Sequence, residues 1–176
     1  GMELHDITDL GKKTEFKVFS GAEMVKCIVV SPGAKLTRAQ TDALADWAKG
    51  FGAKGLAVTK VTAGGGSPGF DTGVAKFIQP IAAELLSRTG AKEGDMLCFA
   101  ADKPKIVHKV LGELRLKMAR DMQMKPSTDY AWVWVVDFPL FEYDDEDKRY
   151  VSTHHPFTAP LDEDLDKLDS RDRSIV

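Results

Sequence analysis

The sequence predicts a domain in which helices pack against a mixed sheet, followed by a separate strand and hairpin. Short β-branched runs alternate with stretches of helical spacing through the first two thirds of the chain. This alternation predicts an α+β domain, with α/β as the alternative. The 176 residues are 43% hydrophobic and 29% charged, which is the composition of an ordinary globular protein with one sizeable core.

The first third of the chain predicts strands and one well-capped helix. Thr37 is a good N-cap for a helix that continues through Lys49 and stops at Gly50. Turn residues follow the second predicted strand. The predicted strands in this region are residues 16–19, 25–30 and 56–61.

The middle of the chain predicts two helices around a fourth strand. Residues 74–87 have helical spacing apart from Pro80, which should interrupt the helix. Residues 96–100 form the strand, and Asp102 can cap a helix whose first turn contains Pro104. The predicted apolar stripe of that helix consists of Val107, Val110, Leu111, Leu114 and Met118.

A stretch near the end of the chain combines a strand, a turn and two adjacent histidines. Residues 132–136 are β-branched and almost continuously apolar, which predicts a strand covered on both faces. Residues 143–148 have the composition of a turn, so the flanking runs predict a hairpin-like pair. The stretch ends on His154 and His155. Imidazoles at the end of a sheet could anchor a small anionic ligand, and the alternative is that they are structural or simply exposed.

Two glycine-containing segments are similar to phosphate-binding loops but do not meet their requirements. Residues 64–69 formally satisfy the GxGxxG pattern, but Pro68 and Gly73 delay the next helix and no acid follows at the required spacing. Near the start, Gly11-Lys12-Lys13-Thr14 lacks the upstream glycine, since position 6 is Asp6. The sequence therefore predicts a surface loop at 64–69 and no P-loop.

The helix after Pro104 has many basic residues around its apolar stripe. A solvated face is one interpretation, and contact with RNA phosphates is the other, because a basic stripe releases counterions on binding. No aromatic-rich motif for reading bases accompanies it. The residues that could contact RNA are Lys105, Lys109, Arg115, Lys117 and Arg120.

Cysteine use, charge and hydropathy limit the environment of the protein. Cys27 and Cys98 lie in apolar runs and are predicted to be buried hydrophobes rather than disulfide or metal ligands. No apolar run approaches the roughly 20 residues that span a bilayer. From residue 142 onward there are 11 acidic and 5 basic residues, so this part should be a solvated surface. We expect a cytoplasmic protein without a membrane or DNA partner.

Several motifs together carry a resemblance to a known family. DFPLFE at 137–142 and HHPFT at 154–158 resemble the bacterial-type aspartyl-tRNA synthetases, class II enzymes that charge tRNA(Asp) with aspartate using ATP. The remaining motifs resemble the insertion domain called GAD, and they stand in the family's order along nearly the whole chain. These are TEFKVF at 14–19, LTRAQTDAL at 36–44, GAKGLAVTKV at 52–61, GDMLCFAAD at 94–102 and LGELRLKMARDM at 111–122.

The resemblance implies a division of the chain and a binding role for the histidine motif. Residues 1–127 would be a GAD-like insertion domain with its exit helix, and residues 128–176 a partial class II catalytic segment. In the similar synthetases the first histidine of this motif contacts the substrate aspartate and the second lies beside it. Carried over, His154 would be the aspartate contact and His155 its neighbour. The walls of that pocket would be Pro156 and Phe157.

The resemblance also implies which parts of the enzyme this chain does not contain. The motifs that bind ATP and magnesium in class II enzymes have no counterpart here, so we expect no catalytic residue, cofactor or metal in this chain. The chain would be an inactive internal part of a parent enzyme that uses tRNA(Asp), aspartate, ATP and Mg²⁺ and forms a homodimer. The alternative is a non-catalytic GAD-type module that binds tRNA or protein in trans.

Overall fold

The computed structural model divides the chain into two compact units, Gly1–Ser127 and Thr128–Val176. The assignment of these units to an insertion domain and a catalytic segment stays a prediction. None of the helices in the described part of the chain is both long and apolar enough to cross a membrane. The structure describes residues 2–64, 67–126, 128–136, 138–144, 146–153 and 159–167.

Among its described residues, the first unit contains five strands and six α-helices. The strands are β1 (His5–Asp6), β2 (Met24–Val30), β3 (Ala57–Gly64), β4 (Ser67–Asp71) and β5 (Met96–Asp102). The helices are α1 (Thr8–Lys12), α2 (Lys17–Ser20), α3 (Arg38–Lys49), α4 (Ala75–Ile78), α5 (Ala82–Thr89) and α6 (Pro104–Asp121). A short 3₁₀ turn, Gln79–Ile81, joins α4 to α5 at the predicted proline interruption.

The five strands form one sheet in the order β1-β2-β5-β3-β4. All four described pairings are antiparallel. The α+β class is therefore confirmed, but the expectation of a mixed sheet is wrong. Strands β2 and β3 do run in the same direction, as the strand–helix–strand alternation suggests. Strand β5 is inserted between them in the opposite direction, so they never become parallel neighbours.

The central strand β5 contributes side chains to a hydrophobic core on each face of the sheet. Leu97 and Phe99 lie in the first cluster, which α1, α2, α4 and α5 cover. Met96 and Cys98 lie in the second cluster, which α3 and α6 cover. This alternation follows from the two-residue period of a strand. Burial of each large apolar side chain stabilises the unit by about 1.5–3 kcal/mol.

The two predicted long helices form, but the prediction that Asp102 caps the second is wrong, because Lys103 is the N-cap of α6 and Asp102 ends β5. The hydroxyl of Thr37 accepts a hydrogen bond from the Gln40 N–H at 3.3 Å, and the Gln40 side chain accepts one from the Thr37 N–H at 2.8 Å. This reciprocal capping box fixes the start of α3. In α6 the five predicted apolar residues are all buried.

Both cysteines lie in the core, as predicted. Cys27 and Cys98 are free and buried on neighbouring strands. Burial raises the pKa of the Cys98 thiol to about 12, and burial followed by the influence of Cys98 raises the pKa of Cys27 as well. Both thiols are therefore neutral and unreactive at physiological pH.

The prediction of a strand at residues 16–19 is wrong. Phe16 is the N-cap of α2, and the residues after it form that helix. A helical turn brings Phe16 and Phe19 to one side, with ring centroids 4.9 Å apart. Phe16 also stacks on Phe77 at 4.8 Å, and Phe19 packs against Phe99 at 5.4 Å. In an extended segment Phe16 and Phe19 would point to opposite faces, so one of the two rings would point away from the core.

The second unit contains the predicted hairpin, but with a different first strand. The strands are β6 (Phe141–Asp144) and β7 (Arg149–Ser152), paired antiparallel. Residues 132–136, which were expected to be a strand, have no regular secondary structure. A strand needs a hydrogen-bonded neighbour. Among the described residues of this unit, β6 and β7 pair with each other, and no partner strand lies beside residues 132–136. A 3₁₀ turn, Asp162–Lys167, follows later in the chain.

Candidate functional site

The hairpin fixes the backbone up to the residue before the histidine motif. The Thr153 N–H donates to the Leu140 carbonyl at 3.1 Å, and the Thr153 hydroxyl donates to the Pro139 carbonyl. The end of β7 is therefore tied to the segment that precedes β6. The predicted aspartate-binding residues, His154 and His155, follow directly and lie outside the described residues, as do the predicted pocket walls Pro156 and Phe157.

Side chains on the hairpin stabilise its turn. The Asp144 carboxylate accepts hydrogen bonds from the N–H groups of Glu146 and Asp147, at 2.8 and 3.1 Å. Across the strands, the rings of Tyr143 and Tyr150 meet edge to face with centroids 5.2 Å apart. The acidic residue Asp144 therefore stabilises the turn that the composition of this segment predicts.

Helix α6 brings three of the five predicted RNA-contacting residues onto one exposed face. At 100° per residue, Lys105, Lys109 and Arg120 fall within about 60° of one another around the helix axis. All three side chains are exposed. They span about 22 Å along the axis at 1.5 Å per residue. We call these three residues the α6 stripe.

The other two predicted residues lie on the flanks of that stripe. Lys117 is half-buried, and its ammonium lies 2.7 Å from the Asp121 carboxylate and 5.9 Å from the centre of the Trp47 ring. The contact with Trp47 joins α6 to α3, whereas the pair with Asp121 lies within α6, so the charge of Lys117 is already partnered. Arg115 is exposed, but it lies on the opposite flank from Lys117.

His108 adds no positive charge to α6 at neutral pH. Partial burial, followed by the nearby Lys26 ammonium, lowers the pKa of His108 below its usual value of 6.5. The imidazole is therefore mostly neutral at pH 7. The positive potential of this face comes from lysine and arginine alone, and such a row can bind phosphates without reading bases.

The first unit is an antiparallel sheet with helices on both faces, and one of these helices has an exposed row of basic residues. This is an α+β architecture and not the mostly parallel one of dinucleotide-binding domains. The glycine-rich segment belongs to the β3–β4 hairpin, whose register ends at Gly64 and Ser67, and no helix opens after those glycines as a dinucleotide-binding loop requires. The chain belongs to the GAD domain family, whose model matches residues 17–111, more than half of its length.

Curated bacterial proteins resemble the chain far beyond that domain. It is 47% identical over 180 residues to the aspartate–tRNA(Asp/Asn) ligase of Halothermothrix orenii, covering 99% of this chain. It is 43% identical to the aspartate–tRNA ligase of Staphylococcus carnosus over 96% of this chain. It is 44% identical to the aspartate–tRNA(Asp/Asn) ligase of Thermodesulfovibrio yellowstonii over 95% of this chain. The chain spans about 30% of the length of these relatives.

Proposed function

We propose that this chain is a portion of an aspartate–tRNA ligase, an aminoacyl-tRNA synthetase that charges tRNA(Asp) with aspartate in translation. One observation carries the proposal: similarity to such ligases continues through both units, over 99% of the chain at 47% identity, while covering 30% of the relative. The first unit would be the GAD insertion domain, and the second a segment of the catalytic domain. Location in the cytoplasm and a homodimeric parent enzyme are parts of the same proposal.

The proposed aspartate contact is His154, with His155 beside it and Pro156 and Phe157 as pocket walls. A protonated imidazole would bind the side-chain carboxylate of aspartate by a charge-assisted hydrogen bond. The similarity to aspartate–tRNA ligases supports this role, because it covers 99% of the chain and therefore includes the histidine motif. ATP and Mg²⁺ would bind to other parts of the parent enzyme.

The 176-residue chain should not activate aspartate by itself. One charge-assisted contact contributes about 1.5–3 kcal/mol, whereas millimolar binding already requires about 4 kcal/mol. Purified chain mixed with ATP, Mg²⁺ and aspartate should therefore give no pyrophosphate exchange. Exchange above that of a heat-inactivated sample would contradict the proposal.

The role of the histidines can be tested in a full-length ligase that contains this segment. His154→Ala should raise the KM for aspartate while the KM for ATP changes little, and His155→Ala should have the smaller effect. Both variants can be compared in the same exchange assay. An enzyme whose aspartate KM is indifferent to His154→Ala would remove this assignment.

The α6 stripe favours a second candidate function, that of a GAD-type module that binds tRNA in trans. Lys109→Ala and Arg120→Ala together should weaken tRNA binding. They should also reduce the slope of log K against log[salt] by the amount expected for the loss of about two phosphate contacts. Lys117→Ala is the matched control, because its ammonium pairs with Asp121. A salt slope unchanged by the double substitution would leave the stripe as a solvated face.

A further inference from the structure

A cavity of about 660 Å³ opens in the first unit beside the start of β3. Val18 of α2 and Arg38 and Thr41 of α3 border it, together with Lys54 and Ala57 at the entry to β3. Its volume lies within the range of about 300–1,000 Å³ that is typical of small-molecule sites. It involves neither the histidine motif nor the α6 stripe.

An interruption in the sheet makes room for the cavity. The pairing of β5 with β3 ends at Phe99 and Ala57, whereas the pairing of β5 with β2 continues to Asp102 and Met24. On the β3 side, the end of β5 borders the cavity through Ala101. Successive residues of an antiparallel strand direct their peptide groups to alternate sides. At least one peptide group of this stretch is therefore directed to the side of the cavity.

One wall of the cavity is held in place by close backbone packing. The hydroxyl of the buried Thr59 donates toward the carbonyls of Asp71 and Thr72, both 3.1 Å away. Gly73 has φ +58°, and a Cβ added there would lie 1.8 Å from the Val58 carbonyl oxygen. The wall is thus a preformed surface, which lowers the entropic cost of ligand binding.

The lining combines an apolar wall with an excess of positive charge. Val18 is an apolar residue of this wall, and it is 54% exposed. The lining cations are Arg38, Lys54 and Lys60, against the single acid Asp42. The Arg38 guanidinium is 3.8 Å from that carboxylate, a loose contact between two exposed side chains.

We propose that this cavity binds a nucleotide, either free or as an unpaired residue of an RNA strand. An apolar wall accommodates the face of a base, a peptide group at the end of β5 accommodates a base edge, and the cations accommodate the phosphate. Arg38 and Lys54 are the phosphate contacts, and Val18 lies against the base. The site goes beyond the proposed function, since it does not depend on aspartate activation or on the α6 stripe.

The test titrates the whole 176-residue chain with AMP, GMP, CMP and UMP, with adenosine, and with single-stranded tetranucleotides. Two variants change the cavity: Val18→Trp fills it, and Lys54→Glu reverses a charge at its rim. Leu116→Trp is the control for the first in the mononucleotide titrations, because Leu116 is 53% exposed and lies on α6. Lys12→Glu is the control for the second, at an exposed lysine of α1.

Each cavity variant should weaken mononucleotide binding about tenfold or more, and adenosine should bind about tenfold more weakly than AMP, because a charge-assisted contact is lost. The controls should stay within about twofold of the wild type, as expected for surface changes outside a site. Binding of tetranucleotides alone, with the same loss in the cavity variants, would assign the nucleotide to an RNA strand. The proposal would be overturned if neither mononucleotides nor tetranucleotides show saturable binding, or if adenosine and AMP bind equally well. It would also be overturned if the cavity variants bind nucleotide like the wild type.

Discussion

The two units differ in what covers their apolar side chains. In the first unit, helices cover both faces of the sheet, and Phe99 and Leu111 are almost completely buried. In the second unit, Trp132 and Trp134 are 92% and 94% exposed. Its hairpin has two strands of four residues each, and such a hairpin is marginally stable on its own.

The comparison shows that apolar content alone does not create a core. Residues 132–136 are among the most apolar in the chain, yet their side chains are exposed. A core requires a second layer that buries the apolar face of the first. The first unit contains both layers, whereas the exposed patch of the second needs a further surface. This difference agrees with the proposal that the second unit is a segment of a larger catalytic domain.

The largest expected effect separates the two units directly. Leu111→Ala should lower the free energy of unfolding of the first unit by about 2–5 kcal/mol, because it leaves a cavity in a packed core. Trp134→Ala removes a larger side chain but should change that free energy by less than about 0.5 kcal/mol. Urea unfolding followed by far-UV circular dichroism measures both. Equal losses would show that the exposed tryptophan stabilises the fold.

A smaller effect should follow from the close packing of the 72–74 loop on β3. Gly73→Ala places a Cβ 1.8 Å from the Val58 carbonyl oxygen at a positive φ, so we expect a loss of about 2–4 kcal/mol. Gly52→Ala is the matched control, because Gly52 has φ +90° and nothing within 4 Å of the added Cβ. Its cost should be the backbone strain alone, about 1–2 kcal/mol. Thermal unfolding distinguishes the two, and equal costs would contradict the close approach.

The smallest effect concerns an ion pair that joins α1 to α5. The Arg88 guanidinium contacts both carboxylate oxygens of Asp9, at 2.5 and 2.9 Å. Hydrogen bonding to Arg88 lowers the pKa of Asp9 from 3.8 to about 2, against a partial opposing effect of burial. Because the folded-state pKa is the lower one, the pair stabilises the fold above pH 4, and this contribution is lost as the pH falls toward 2.

Asp9→Asn and Arg88→Gln should each remove that acid-sensitive contribution. The difference in unfolding midpoint between wild type and either variant should be largest near neutral pH and should shrink as the pH falls from about 4 to about 2. Urea unfolding at a series of pH values measures it. A difference that stays constant across this range would assign the effect to packing of the side chains rather than to the charge of Asp9.

Features of the chain that depend on neighbours in sequence were predictable. The Thr37 capping box, the proline interruption after α4 and the buried stripe of α6 depend on contacts three or four residues apart. The same applies to the turn of the β6–β7 hairpin, whose composition is local. The positions of the α6 stripe residues around the helix also follow from its period.

Features that depend on contacts between distant parts of the chain were not predictable from the sequence. Strand β1, which pairs with β2, has two residues, and no local pattern indicates it. The α2 segment resembles a strand locally, but the contacts of its phenylalanines with Phe77 and Phe99 stabilise a helical turn. The cations Arg38, Lys54 and Lys60 are spread over 23 positions of the sequence, and only the fold places them around one cavity.

The sequence by itself therefore determined the class of fold, the helices with strong caps and stripes, and the resemblance to a family. These depend on the short-range periodicity of side chains and on motifs read in order. Tertiary structure decided the strand order, the antiparallel insertion of β5, the conformation of residues 16–19 and 132–136, and the cavity beside β3. The physical reason is that a strand exists only when a partner supplies its hydrogen bonds, and a cavity only when separate elements meet around it.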